Sequence, residues 1–168
     1  MKLAGFYDES ISNGLGWRAV VFVSGCPHGC PGCHNKEAQN FNYGTDFDKE
    51  AIMERIENNS ILKGVTISGG EPLCKENAAG VLDFIKTVKR RKPSLNIWCY
   101  TGYTAEELLA KGDPTIDEVL SEIDILVDGR FEETLKDPRL KFRGSKNQRI
   151  IDLKASREKV YKVIELGI

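Results

Sequence analysis

Four short β-branched or aromatic runs set the frame of this chain, and each is followed within two residues by a glycine. They are Trp17–Val23, closed by Ser24-Gly25; Gly64–Ser68, closed by Gly69-Gly70; Leu95–Tyr100, closed by Thr101-Gly102; and Ile123–Val127, closed by Asp128-Gly129. Such runs between glycine-rich breaks spell strands. Helical spacings lie between them. Asp46 is a cap candidate for a helix with Ile52, Met53 and Ile56 on one face. Asn77 to Arg91 carries Val81, Leu82, Ile85 and Val88 on one stripe, and its basic end suits the negative end of a helix dipole. Thr104 caps a helix through Leu109, and Pro114 to Ser121 reads as another. Arg149 to Leu153 gives a fifth strand and Ala155 to Glu165 a last helix, while the polar stretch Glu132–Lys146 reads as loop.

Strand, loop and helix in repetition predict βαβ units on a mainly parallel sheet. A complete eight-stranded barrel takes about 250 residues, more than the 168 present. The expected fold class is therefore α/β: a partial, open (β/α) barrel of about five to six mainly parallel strands, with residues 1–168 as a single domain. In such sheets ligands bind beyond the C-terminal ends of the strands. Each glycine-rich break lies at such an end.

The first break runs into Gly25-Cys26-Pro27-His28-Gly29-Cys30-Pro31-Gly32-Cys33-His34-Asn35. Three thiolates in one Gly/Pro-rich loop hold a soft metal or an iron–sulfur cluster. A structural zinc site takes four protein ligands, and a fully ligated cubane takes four cysteines. No fourth cysteine lies nearby, so a cluster on Cys26, Cys30 and Cys33 keeps one iron open for chemistry. The five cysteines are an odd number, and Met1–Glu9 holds no apolar signal-peptide region. Both features predict a cytoplasmic protein without a disulfide framework. The formal net charge of −1 gives no electrostatic case for nucleic acid. Ala19–Val23, the longest apolar run near the N-terminus, is too short to cross a membrane.

Together with Gly69-Gly70-Glu71-Pro72 at the end of the second strand, the three-cysteine loop resembles the radical S-adenosylmethionine (SAM) superfamily. The resemblance implies that Cys26, Cys30 and Cys33 bind three irons of a 4Fe–4S cluster, with the fourth chelated by the amino and carboxylate groups of SAM. It also implies that Gly69-Gly70-Glu71-Pro72 binds the SAM amino group. The residues suit that role: glycines let backbone approach a ligand closely, and Glu71 offers an acceptor to an ammonium. Gly32 stands where the superfamily usually has an aromatic residue. The run from Cys30 to Asn35 instead resembles the activating proteins of anaerobic (class III) ribonucleoside-triphosphate reductase. Ser10–Arg18, Tyr100–Tyr103, Val127–Phe131 and Phe142–Arg149 match these as well, so the resemblance extends from about residue 10 to residue 152.

That resemblance implies an oxidoreductase in which the reduced cluster passes one electron to the SAM sulfonium. The resulting 5′-deoxyadenosyl radical takes hydrogen from a glycine of the reductase large subunit and leaves a glycyl radical. The implied cofactors are the 4Fe–4S cluster and SAM. The implied partners are that large subunit and a reduced flavodoxin- or ferredoxin-type electron donor. The candidate cofactor contacts are Gly32, Cys33, His34, Ser68, Gly69, Gly70, Glu71, Tyr100 and Asp128. No residue is assigned as a general acid or base. An open barrel leaves room for a loop of another protein to reach the cluster.

Two alternatives stay open. One is an activase for another glycyl radical enzyme, such as pyruvate formate-lyase. The other is a non-catalytic iron–sulfur or zinc module, with His28, His34 or Cys74 as a fourth ligand. His28 otherwise reads as a solvent-facing loop residue and Cys99 as a small core residue. Asp128 suits either a SAM ribose or carboxylate contact or a turn or helix cap. Lys136, Arg139, Lys141, Arg143, Lys146 and Arg149 form a solvated face, a dock for an acidic partner or a site for the SAM carboxylate.

Overall fold

The computed structural model describes residues 1–158 and 165–168. Seven strands form one sheet: β1 (Lys2–Ser10), β2 (Arg18–Val23), β3 (Thr45–Asp46), β4 (Gly64–Gly69), β5 (Asn96–Tyr100), β6 (Ile125–Asp128) and β7 (Arg149–Asp152). Their order across the sheet is β3-β1-β2-β4-β5-β6-β7. β2, β4, β5 and β6 run parallel, with β2 aligned from Arg18↔Gly64 to Val23↔Gly69. The sheet does not close, because β3 and β7 lie at opposite edges. A partial, open α/β barrel is therefore what the chain forms, with seven strands where sequence spacing predicts five to six.

The two additional strands and the reversed β7 have a common cause. β1 is antiparallel to β2, β3 to β1, and β7 to β6. Parallel neighbours need a long crossover, whereas antiparallel ones need only a returning loop. No α-helix lies between β6 and β7, so the chain returns antiparallel. β1 is half-buried and irregular, with register shifts between Leu3 and Gly5 and between Tyr7 and Ser10.

The α-helices among the described residues are α1 (Lys49–Glu57), α2 (Ala78–Arg91), α3 (Ala105–Ala110), α4 (Pro114–Glu122) and α5 (Leu153–Glu158). Asp48, not Asp46, caps α1, accepting from Ala51 N at 3.0 Å; Asp46 belongs to β3. Thr104 and Glu107 form a capping box on α3, and Asp113 caps α4 ahead of Pro114. The expected helix Ala155–Glu165 begins earlier, at Leu153, and its stretch 159–164 lies outside the described residues. The loop expected over Glu132–Lys146 is a short 3-10 turn at Glu133–Leu135 followed by a hairpin tied at Lys136↔Ser145.

Alternation along the strands divides the sheet into two faces. Ala19, Val21, Val23, Val65, Ile67, Ile97, Cys99 and Leu126 pack with Ile52, Met53, Val81, Ile85, Leu108 and Val119 of the helices into the main core. The opposite face carries a smaller cluster of Trp98, Val127 and Ile150 against Tyr100 and Phe142. Arg18 pins the N-terminal end of that face, fully buried. Its guanidinium donates to Thr66 Oγ1 (2.7 Å) and to the carbonyls of Leu15, Val65 and Asn96. Among the described residues no helix is long and apolar enough to cross a membrane.

Candidate active site

The loop after β2 is anchored at both ends by backbone. Ser24 N donates to Lys2 O (3.0 Å), Gly25 N to Ala38 O (2.7 Å) and Cys26 N to Gln39 O (3.1 Å). The end of β4 ties to the same base: Gly70 N donates to Val23 O and Glu71 N to Gly25 O, both at 2.7 Å. Asn77, buried, adds side-chain donations to Ser24 O (2.9 Å) and Glu71 O (3.1 Å), although its sequence position suggests only a helix start. Cys26, Cys30 and Cys33 are half-buried on this loop and line one cavity of about 250 Å³. Ser68, Gly69, Gly70, Glu71, Tyr100, His34 and Arg143 line the same cavity. It sits at the C-terminal ends of β4, β5 and β6, as the glycine-rich breaks predict.

The thiols divide by environment. Burial pushes the Cys26 thiol up, while the backbone amides of His28 and Gly29 pull it back. Burial holds Cys74 at about 11 and Cys99 well above its ordinary range. Neither lines the cavity, which leaves the three loop cysteines as its soft donor set. Among the described residues no three His, Cys, Asp or Glu side chains converge as a single ion requires. Three thiols without a fourth cysteine on the cavity leave one metal position open, which a closed structural zinc site does not.

Glu71 is fully buried and is the hub of the site. Its Oε1 accepts from Leu73 N (2.9 Å) and Thr101 Oγ1 (2.8 Å). Its Oε2 accepts from Gly102 N and His28 Nε2, both at 2.6 Å. Four donors fill the four lone-pair directions of a carboxylate. The sequence reading of Glu71 as the acceptor of an ammonium therefore meets a carboxylate already spent on its own protein. His28 is correspondingly not a solvent-facing residue: its side chain is 5 % exposed. Arg130 Nε donates to His28 Nδ1 at 3.1 Å, and since arginine can only donate, the proton of the neutral ring sits on Nε2 and points at Glu71. The ring stands edge-on to Tyr103, with centroids 4.5 Å apart. It also fills the space where a side chain at Gly102 would lie.

The remaining expectations separate. Cys33, His34, Ser68, Gly69, Gly70, Glu71 and Tyr100 reach the cavity; Gly32 and Asp128 do not line it. Gly32 takes a left-handed turn at φ +73° beside Glu133. The buried Asp128 carboxylate accepts from Ala105 N (2.8 Å), capping α3, and from Arg149 at 3.0 and 2.5 Å. That is the turn-and-cap role, not a ligand contact. Tyr100 donates its hydroxyl to Phe142 O at 2.6 Å, and burial pushes that hydroxyl well up. Gly70 serves a close approach of a different kind from the one expected. A Cβ there would overlap the carbonyl oxygens of Gly25 and Ala38, so the missing side chain admits the cysteine loop. Thr101, Gly102, Arg130, Phe131 and Gln148 also line the cavity. Their sequence signals are position beside a strand end and the family-like segments Tyr100–Tyr103, Val127–Phe131 and Phe142–Arg149, which mark the loops but not their hydrogen bonds.

A half-barrel with three free thiols at its strand ends defines a single-cluster iron–sulfur protein. The model of the 4Fe–4S single cluster domain family matches residues 12–151. The chain is 42% identical over 152 residues to the anaerobic ribonucleoside-triphosphate reductase-activating protein of Pasteurella multocida, covering 88% of this chain and 95% of that protein. It is 40% identical over 147 residues to the protein of that name from Escherichia coli K12, covering 85% and 93%. The namesake from Enterobacteria phage T4 is 36% identical over 146 residues, covering 86% and 89%. The chain belongs to the family of anaerobic ribonucleoside-triphosphate reductase-activating proteins.

Proposed function

We propose that this chain, acting as one domain over residues 1–168, is a radical SAM activase that installs a glycyl radical on the large subunit of anaerobic ribonucleoside-triphosphate reductase. One observation carries the reading. The three free cysteines and the Gly69–Glu71 turn face one small cavity, locked together by the bonds from Gly70 N and Glu71 N to the cysteine-loop strand. The names of its relatives support the same partner.

Cys26, Cys30 and Cys33 would hold the 4Fe–4S cluster. With SAM bound, that cluster supplies the electron that breaks a carbon–sulfur bond and starts hydrogen abstraction from the partner glycine. The protein's own part is ligation, placement and exclusion of competing reactions. Because Glu71 is spent on bracing, the N–H groups of the SAM amino group go to backbone. Gly70 lines the cavity, and its carbonyl accepts no hydrogen bond among the described residues. His34, tilted against Phe131 at 5.4 Å, forms an aromatic wall beside the cluster loop, where an adenine can pack. The electron donor is a reduced flavodoxin- or ferredoxin-type protein, and the setting is the cytoplasm.

The test is electron paramagnetic resonance. Reduced protein, SAM and the reductase, mixed without oxygen, give a glycyl-radical doublet. Replacing the reductase's radical-site glycine by alanine removes it. A silent reductase alongside a radical on pyruvate formate-lyase overturns the partner and leaves the chemistry. No SAM cleavage with either overturns both.

A further inference from the structure

We propose that Arg143 is the residue that makes the cavity specific for a ligand bearing a carboxylate, and that the turn at Phe142 exists to aim it. The inference rests on the reading of the cavity as a SAM site and names the atom group that SAM offers to Arg143.

Sequence leaves six basic residues between Lys136 and Arg149 equivalent, and the structure separates them. Arg149 is committed to Asp128 and Glu106, and Arg139 and Lys146 to Asp137. Lys136 and Lys141 are exposed and border no part of the cavity. Arg143 alone of the six lines it. Its Nε is buried without a hydrogen-bond partner, and its side chain makes no hydrogen bond or ion pair with any described residue. Arg130, the other arginine on the cavity, spends its Nε on His28.

The backbone is shaped to present this side chain. Phe142 sits at φ +60°, the one non-glycine residue at positive φ among those described. For a bulky residue that region is strained and persists only when the surroundings over-determine it. They do here. Tyr100 Oη donates to Phe142 O at 2.6 Å, and the Phe142 ring stands edge-on to Trp98 at 5.5 Å. Gln148 Oε1 then takes Gly144 N (2.8 Å) and Ser145 N (3.1 Å), closing the turn on the far side. An arginine that lines a cavity while its buried Nε stays unpaired is costly until a partner arrives. Guanidinium suits a carboxylate because both are planar and can pair through two bonds. SAM carries one carboxylate. Its decarboxylated form and 5′-methylthioadenosine carry none.

Equilibrium binding to anaerobically purified, cluster-loaded, unreduced protein tests the assignment, with SAM, decarboxylated SAM and 5′-methylthioadenosine as probes. In Arg143→Met, SAM affinity falls about 10- to 100-fold, the scale of one lost charge-assisted contact. The affinities for the two carboxylate-free probes stay within about twofold of wild type, because they never engage Arg143. The ratio of SAM to decarboxylated SAM therefore shrinks by the same factor. Comparing that ratio between the two proteins cancels whatever discrimination comes from the cluster. Arg143→Lys restores part of it. An unchanged ratio in Arg143→Met overturns the assignment while leaving the SAM site intact. Equal losses for all three probes also overturn it, showing Arg143 to be structural. A wild-type protein that binds no SAM overturns the reading of the cavity itself, and the assignment with it.

Discussion

Glu71→Gln separates a brace from a ligand contact. In the wild-type site each carboxylate oxygen takes one backbone amide: Oε1 that of Leu73, Oε2 that of Gly102. A glutamine amide has one oxygen and one NH2 group. Whichever way it is turned, the NH2 group faces one of those two backbone N–H groups. Thr101 can rotate its hydroxyl, but a backbone amide cannot turn, and His28 cannot change tautomer without setting an Nδ1 proton against the Arg130 donor. One buried donor is orphaned, at about 1–3 kcal/mol. The remaining bonds lose their charge assistance, about 1 kcal/mol each. The total is about 4–6 kcal/mol, and for a chain of this size that lowers Tm by roughly 8–24 °C. Thermal unfolding under anaerobic conditions reads this directly, with iron content measured beside it. The substituted protein unfolds earlier, loses iron as the loop base loosens, and keeps its SAM affinity in the fraction that stays folded and iron-loaded. A variant as stable as wild type that fails to bind SAM refutes the reasoning, because Glu71 then contacts the ligand and the four internal bonds do not govern it.

Other outcomes follow from the same geometry. Cys26→Ala, Cys30→Ala or Cys33→Ala abolishes cluster absorbance and SAM cleavage, whereas Cys99→Ala spares both; normal iron in Cys30→Ala contradicts the ligand set. Gly70→Ala forces a methyl against the Gly25 and Ala38 carbonyls, at about 1–3 kcal/mol of overpacking, and lowers iron content and SAM affinity together. Lowered SAM affinity with full iron content places the glycine's role in ligand access instead. The Arg139 side chain and backbone N–H, with Lys146 nearby, hold the Asp137 carboxyl at about 2, below its ordinary 3.8. Its depressed folded value means stability that is complete above pH 4 and lost as pH falls toward 2. Acid unfolding of wild type is therefore steeper across that window than that of Asp137→Asn, and identical profiles refute it.

The parallel core of the fold was legible because its signals are local. β4, β5 and β6 each begin and end within two residues of the runs read from composition, and the Thr104 and Pro114 helix starts are where capping chemistry puts them. β1 was not legible. Its sequence mixes apolar, charged and glycine residues without clean alternation, and it becomes a strand by pairing with β2 over Leu3↔Val23 to Ser10↔Arg18. β3 is two residues long and exists only as a partner of Lys2 and Leu3. β7 was visible as a strand but not in its direction, because nothing in Arg149–Asp152 records whether a helix or a hairpin precedes it.

The site shows where residue type stops being informative. Three spaced cysteines and a Gly-Gly-Glu-Pro turn located the cavity, since ligand spacing and backbone access are properties of short segments. The partners of Glu71 come from His28, Thr101 and Gly102, up to 43 residues away in sequence. No local pattern says that a glutamate beside a metal loop already has four donors. The same limit made His28 look exposed, Gly70 look like ligand access and six basic residues look alike. His28 and the basic residues were resolved by counting who already has a hydrogen-bond partner, and Gly70 by the carbonyls that a Cβ would strike. That count puts the three thiols, the Gly70 carbonyl and the Arg143 guanidinium among the cavity groups that no other side chain engages in the described residues. These are a soft-metal donor set, one acceptor and one cation, which is the complement that an iron–sulfur cluster and a zwitterionic amino acid head group together require.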